Sequence, residues 1–401
     1  MSKILHRRLY EAYYSARKNK RTKAEQLSFE KHYECMLYKL YTEIINKTYK
    51  ALPSRVFVIK KPVLREIFAP QFRDRVVHHL IYNYIYQYLD KKFIYDSYSC
   101  REGKGTLFGI ERAKRFMRKA SHNYTRDAYV LKLDIRGYFM NINRKKLYEQ
   151  LQNIINYESL LITHQEKACL QYLIREICLH NAAEGAQRCS PFAYWDGIPA
   201  SKSLFCTPPD CGLPIGSLTS QLFSNVYMND IDHQIKACFK YYGRYVDDML
   251  LIDRDKEKLQ WAIGQIDAWL SEIGLSLHPQ KIYLKHYTQG FYFLGQYIKP
   301  NRTYISRRFK KHFNTFLEEL SLFFAQKEEQ IEMKGLLAVE NTLNSYLSVL
   351  SKANTYRYVT KILGALPKLL WNYMDLVEME KQFKIQIKSS YKKQKSLCLS
   401  W

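Results

Sequence analysis

The stretch YGRYVDDMLLI, residues 242–252, sets two adjacent aspartates, Asp247 and Asp248, between Tyr245-Val246 and the apolar run Met249–Ile252. Asp is a poor strand former, and a carboxylate is seldom buried alone. Two anions held against an apolar strand need a partner of opposite charge. Asp134 has the same setting: in AYVLKLDIRGYF, 128–139, it is surrounded by Val130, Leu131, Leu133 and Ile135. The alternation reads as a strand at 128–139 and a hairpin at 242–252. Three mutually repelling carboxylates on neighbouring strands are stable around a cation, and hard oxygen ligands favour Mg²⁺. Two such ions about 4 Å apart activate a hydroxyl nucleophile and stabilise a departing pyrophosphate.

Working outward, RVFVIKKPVLREIFAP, 55–70, alternates around Pro62 and predicts a second hairpin. Residues 1–50 are amphipathic and helical in pattern, as are Val76–Leu89, the basic stretch LFGIERAKRFMRKA, and NRKKLYEQLQNII. SLTSQLFSNVYMNDIDHQIKACF reads as one helix, and KEKLQWAIGQIDAWLSEIG as another, ended by Gly274. The segment 179–214, rich in Pro, Gly, Ser and Cys, predicts a long loop or insertion. LSLHPQKIYLKHYTQGFYFLGQYI predicts short strands; from about 305 onward the pattern is helical and basic throughout.

The 401 residues suffice for a large core with two or three subdomains. No run of about 18 apolar residues occurs, so no membrane partner is expected. The first residues lack the apolar core of a secretory signal, which predicts a cytoplasmic location. Lys and Arg number 63 against 38 Asp and Glu, a formal charge of +25, as a partner of nucleic acid would carry. Nine cysteines in such a chain are expected as free thiols. Cys169, Cys178, Cys189, Cys206 and Cys211, with His180 nearby, show no CxxC pair and so do not predict a zinc site.

LKLDIRGYF, GLPIGSLTSQLFSN, YGRYVDDMLLI, LSLHPQK and FYFLGQYI resemble, in this order, the palm motifs of reverse transcriptases. The resemblance runs from about residue 50 to 365. It implies an α+β right-hand polymerase fold: N-terminal extension and fingers at 1–125, palm with an antiparallel sheet at 126–300, helical thumb and tail at 301–401. The palm would carry the insertion at about 179–211. Asp134, Asp247 and Asp248 would then be the metal ligands and catalytic residues, with the Ile135 carbonyl near the incoming triphosphate or its metal. Two Mg²⁺ ions are implied, with Mn²⁺ as a substitute.

The resemblance also assigns nucleotide contacts. Phe139 falls where the family keeps an aromatic that collides with a ribose 2′-hydroxyl; a place in the core is the other reading. Lys60, Lys61 and Arg65 lie on the hairpin that grips the triphosphate, the choice between the two lysines staying open. Lys281 matches the lysine that protonates pyrophosphate, with a plain solvated lysine as the alternative. Phe293, Leu294 and Gly295 would form the primer grip.

Ile215 stands where retroviral members carry Gln, and together with the SQ that follows it resembles bacterial enzymes of diversity-generating retroelements and related defence-associated groups. The insertion and the tail SSYKKQKSLCLSW favour the defence-associated groups. The implied partners are a non-coding RNA template, a DNA product or primer, dNTPs, an accessory protein or second polymerase subunit, and a second copy of the chain. The abundant Tyr, 34 residues, adds a tyrosyl hydroxyl as a candidate primer. Competing expectations are a mutagenic diversity-generating polymerase, an RNA polymerase with the same palm, and a catalytically idle RNA-binding scaffold. Phe139 opposes the RNA polymerase, and the intact acidic triad opposes the scaffold.

Overall fold

The computed structural model describes residues 3–18, 23–60, 63–325, 331–379 and 382–391. The chain forms two compact units, residues 1–113 with 129–284, and 114–128 with 285–401. Among the described residues no helix is long and apolar enough to cross a membrane.

The first unit opens with helices α1 (Lys3–Arg17), α2 (Ala24–Glu30) and α3 (Tyr33–Ile45). Strands β1 (Arg55–Ile59) and β2 (Arg65–Ala69) then pair antiparallel, Ile59 opposite Arg65. Helix α4 (Phe72–Asp90) runs through the core, burying Val76, Val77, Leu80, Ile81, Ile85 and Leu89. Helix α5 (Thr106–Ala120) leads to β3 (Tyr129–Asp134), which stops at the aspartate. Gly137 begins the short helix α6 (Tyr138–Asn141). Helix α7 (Arg144–Ile154) is capped by the Asn143 side chain, and α8 (His164–Leu179) by a Thr163–Glu166 capping box.

The insertion contains β4 (Gln187–Arg188), which adds in parallel to β1, giving the sheet order β2-β1-β4. The single helix expected at 217–239 is two: α9 (Leu218–Tyr227) and α10 (Asn229–Cys238), broken at Met228. Asp230 and Asp232 in the first turn of α10 complement its dipole, a start signal that the continuous apolar stripe concealed. Strands β5 (Tyr241–Tyr245) and β6 (Asp248–Asp253) form the hairpin read from the sequence. Helix α11 (Lys256–Glu272) follows, with Gly274 at φ +82° beyond its end. With β7 (Tyr283–His286) the central sheet has the order β5-β6-β3-β7.

One face of that sheet packs on the helices. Leu131, Leu133, Met249 and Leu251 join Tyr242, Phe223, Ile266 and Leu270 in a core that also takes in α4 and α8. Cys169 and Cys178 are buried there as free thiols, while Cys189 and Cys206 are exposed.

In the second unit, β8 (Phe291–Phe293), β9 (Gln296–Lys299) and β10 (Arg302–Ile305) form an antiparallel meander. Helices α12 (Arg307–Ala325), α13 (Met333–Leu350), α14 (Tyr356–Gly364) and α15 (Leu370–Tyr373) follow. The all-helical expectation after 305 fails at β11 (Met374–Met379) and β12 (Gln382–Ile387), a hairpin. Asn344 of α13 bonds both N–H and C=O of Ile385, so the hairpin is fixed by a contact distant in sequence. Most of the tail motif SSYKKQKSLCLSW lies outside the described residues.

Candidate active site

β3 and β6 are antiparallel neighbours in a register that sets Asp134 directly opposite Asp248. Opposed Cα atoms in such a pair lie about 4.5–5.5 Å apart. Asp247 occupies the two-residue turn between β5 and β6, and its carbonyl accepts the Ile135 N–H at 3.1 Å. Three acidic residues distant in sequence therefore meet at one end of the central sheet.

Each flanking carboxylate has a lysine. Lys281, on a 3₁₀ turn at Pro279–Lys281, donates to Asp134 Oδ1 at 2.8 Å. Lys132 Nζ stands 3.1 Å from Asp248 Oδ1, but off-line, leaving that buried oxygen without a hydrogen bond. Burial pushes the Asp248 carboxyl up to about 6, against the pull of Lys132. Asp247 is also raised, by burial first and by Asp134 second. Among the described residues, no three or more His, Cys, Asp or Glu side chains are gathered tightly enough to hold a metal ion. Two ammonium groups stand beside the carboxylates instead. Lys132 was missed in the sequence; its period-two spacing from Asp134 was the available signal.

The turn itself is held from beneath. Val246 has φ +58°, a costly conformation for a β-branched residue. Arg244, fully buried, donates to the Val246 carbonyl oxygen at 2.8 Å and to both carboxylate oxygens of Asp232 at 2.6–3.0 Å. The Tyr242 hydroxyl completes the Asp232 shell at 2.7 Å. Sequence reading missed this pair because an Arg between Gly and Tyr gives no periodic signal. Gly243 is required here: a Cβ would come 2.2 Å from the Tyr98 hydroxyl.

Of the nucleotide-contact candidates, Arg65, exposed on β2, is the one whose field is felt at the acidic turn, where it favours the ionised Asp247. Lys60 follows β1 directly; Lys61 lies outside the described residues. Ile135 is buried beside Asp134. Phe139 is half-buried between the main core and a smaller cluster of Val56, Phe68, Met140, Ala182 and Leu204. Ile215 packs on that cluster, and its carbonyl accepts the Phe68 N–H at 2.8 Å. Gly216, at φ +130°, lies so close to β2 that a Cβ would meet the Phe68 oxygen at 2.6 Å. Phe293, Leu294 and Gly295 belong to the second unit. There Leu294 (φ +48°) and Gly295 (φ +83°) turn the β8–β9 hairpin, with Phe293 buried.

Comparison with known proteins adds the family. The model described as "Reverse transcriptase (RNA-dependent DNA polymerase)" matches residues 59–298. No curated protein matches the chain. Solved structures that resemble it include the Candida tropicalis apo telomerase (14% identity, TM-score 0.47, 84% of this chain and 64% of that one). Others are its form truncated from the C-terminal domain (14%, 0.45, 67% and 59%) and Candida albicans telomerase with a TWJ fragment of telomeric RNA (13%, 0.43, 86% and 64%). The chain thus spans less than two thirds of the length of these telomerases. With the family model covering more than half of its residues, and an α+β palm of antiparallel strands beneath the motifs, the chain belongs to the reverse transcriptase (RNA-dependent DNA polymerase) family.

Proposed function

We propose that the chain is an RNA-directed DNA polymerase that copies a non-coding RNA and serves bacterial anti-phage defence. The observation that carries the polymerase reading is the register of Asp134 opposite Asp248, with Asp247 in the adjoining turn. A scaffold gains nothing from holding Asp247 and Asp248 where burial first, and neighbouring acids second to it, raise their carboxyl pKa values.

Hard carboxylate oxygens, one of them buried and without a hydrogen bond, are the donor type that Mg²⁺ takes, and the ions would have to draw together three side chains that are not gathered around one point here. Asp134, Asp247 and Asp248 would hold the ions, in competition with Lys281 and Lys132. When bound, divalent ions neutralise the triphosphate and lower the pKa of the attacking 3′-hydroxyl. In this reading Arg65 and a lysine of the β1–β2 turn bind the triphosphate, Phe139 excludes a 2′-hydroxyl, and Lys281 delivers a proton to pyrophosphate. In the same reading the fingers, palm and thumb would span 1–125, 126–300 and 301–401. Phe293, Leu294 and Gly295 serve as primer grip.

The defence role draws on the insertion, which is built into the β1–β2 sheet rather than hanging from it. Purified chain given an RNA template, a DNA primer, dNTPs and Mg²⁺ is expected to extend the primer, and EDTA to stop it. Sequencing of copurifying nucleic acid should return one structured RNA and its complementary DNA. Increased phage sensitivity on deletion supports defence; a template repeat and variable repeat beside the gene would support the diversity-generating alternative.

A further inference from the structure

The insertion reaches the tip of the hairpin that carries Lys60 and Arg65. Gln187 N–H donates to the Ser54 carbonyl at 2.8 Å and Cys189 N–H to the Val56 carbonyl at 2.7 Å, so β4 is a true third strand. The buried Glu66 carboxylate accepts the Ser203 hydroxyl at 2.7 Å and the Leu204 N–H at 2.9 Å, tying the far end of the insertion to β2. The Arg188 guanidinium lies over Phe205 at 4.2 Å, over Phe192 at 5.1 Å and over Trp195 at 5.3 Å, which stiffens the segment between. Two contacts then touch the hairpin tip. Gly197 packs so close to Leu64 that a Cβ would meet its methyl at 3.0 Å, and the Tyr194 ring lies 3.4 Å from the Lys60 ammonium.

An exposed lysine samples many rotamers, and the ordering that phosphate binding demands weakens that binding. A ring placed against one side of the ammonium restricts it in advance and leaves N–H donors on the other side. Resting on the polymerase reading above, we propose that Tyr194 is a positioning residue for the incoming nucleotide: it holds Lys60 ready for the triphosphate. The insertion is thereby part of the nucleotide site, and Lys60 is a lysine that the fold prepares.

Two measurements on the full chain test this. In primer extension on poly(rA)·oligo(dT), Tyr194→Ala is expected to raise the KM for dTTP about fivefold, the size of one exposed cation–π contact, with kcat little changed. Tyr194→Phe, which keeps the ring, should restore the parent KM. Lys60→Ala should raise KM by itself, and Tyr194→Ala should add nothing in that background. An unchanged KM in Tyr194→Ala, or a full further increase in the Lys60→Ala background, overturns the proposal while leaving polymerase activity intact. Independently of activity, ¹³C-methylated Lys60 should show an upfield ring-current shift that Tyr194→Ala abolishes. An unshifted Lys60 resonance in the parent chain overturns the proposal even if no primer is extended.

Discussion

The guanidinium of Arg244 bonds the carbonyl oxygen of Val246 at 2.8 Å while Asp232 chelates its remaining edge. A buried ion pair thus holds a β-branched residue at φ +58°, one position before Asp247. Lysine cannot make both contacts, because its single ammonium lacks the planar fork. Arg244→Lys is expected to cost about 3 kcal/mol in urea unfolding. In the folded fraction it should lower kcat at least tenfold with little change in KM for dNTPs. An unchanged kcat would mean that the turn keeps its shape without this support.

Asp248 ties stability to pH. Its folded pKa, about 6, lies above its ordinary value of 3.8, so between these limits the folded chain keeps a proton that the unfolded chain releases. Stability of the metal-free protein should therefore fall as pH rises from about 4 to about 6 and then level off. Asp248→Asn removes the titration. At pH 7.5 the variant should be about 2 kcal/mol more stable than the parent, at pH 4 no different, and inactive as a polymerase at both. Thermal melts across this range in EDTA check it; a variant less stable at pH 7.5 contradicts it.

Phe139 is half-buried, packed on two clusters yet not sealed by either. Phe139→Ala is expected to raise ribonucleotide incorporation relative to deoxynucleotide at least tenfold, read by single-nucleotide extension with rNTP against dNTP. Unchanged sugar discrimination, with a loss of stability of about 3 kcal/mol, would make the ring a core residue instead.

Much of this was legible because period-two apolar alternation marks strands and breaks visibly at an acid. Asp134, Asp247 and Asp248 stood out for that reason, and the β1–β2 hairpin was announced by its pattern around Pro62. What stayed hidden depended on pairing between distant segments. β4 is two residues long and exists through its bonds to β1; β11 and β12 are fixed by Asn344 of α13. The break at Met228 leaves the apolar stripe uninterrupted. Lys132, Arg244 and Tyr194 are ordinary residues in sequence and gain their roles from the partners that folding delivers.

The second unit exposes Arg115, Arg118, Lys119, Arg307, Arg308 and Lys311. With a formal charge of +25, RNA binding should release many counterions. Between 50 and 200 mM salt the affinity for a structured RNA is expected to fall about a thousandfold, as six phosphate contacts require. A nearly flat dependence in filter binding would remove the basic surface from the account.

Catalysis by the acidic cluster is tested most directly by primer extension on an RNA template with Asp247→Ala and Asp248→Ala combined. The parent chain should extend the primer with Mg²⁺ and dNTPs. The double variant should yield no product while binding the same RNA within about threefold of the parent, since the exposed basic residues of the second unit are left unaltered. Extension by the purified double variant at the parent's rate would contradict the account at its centre.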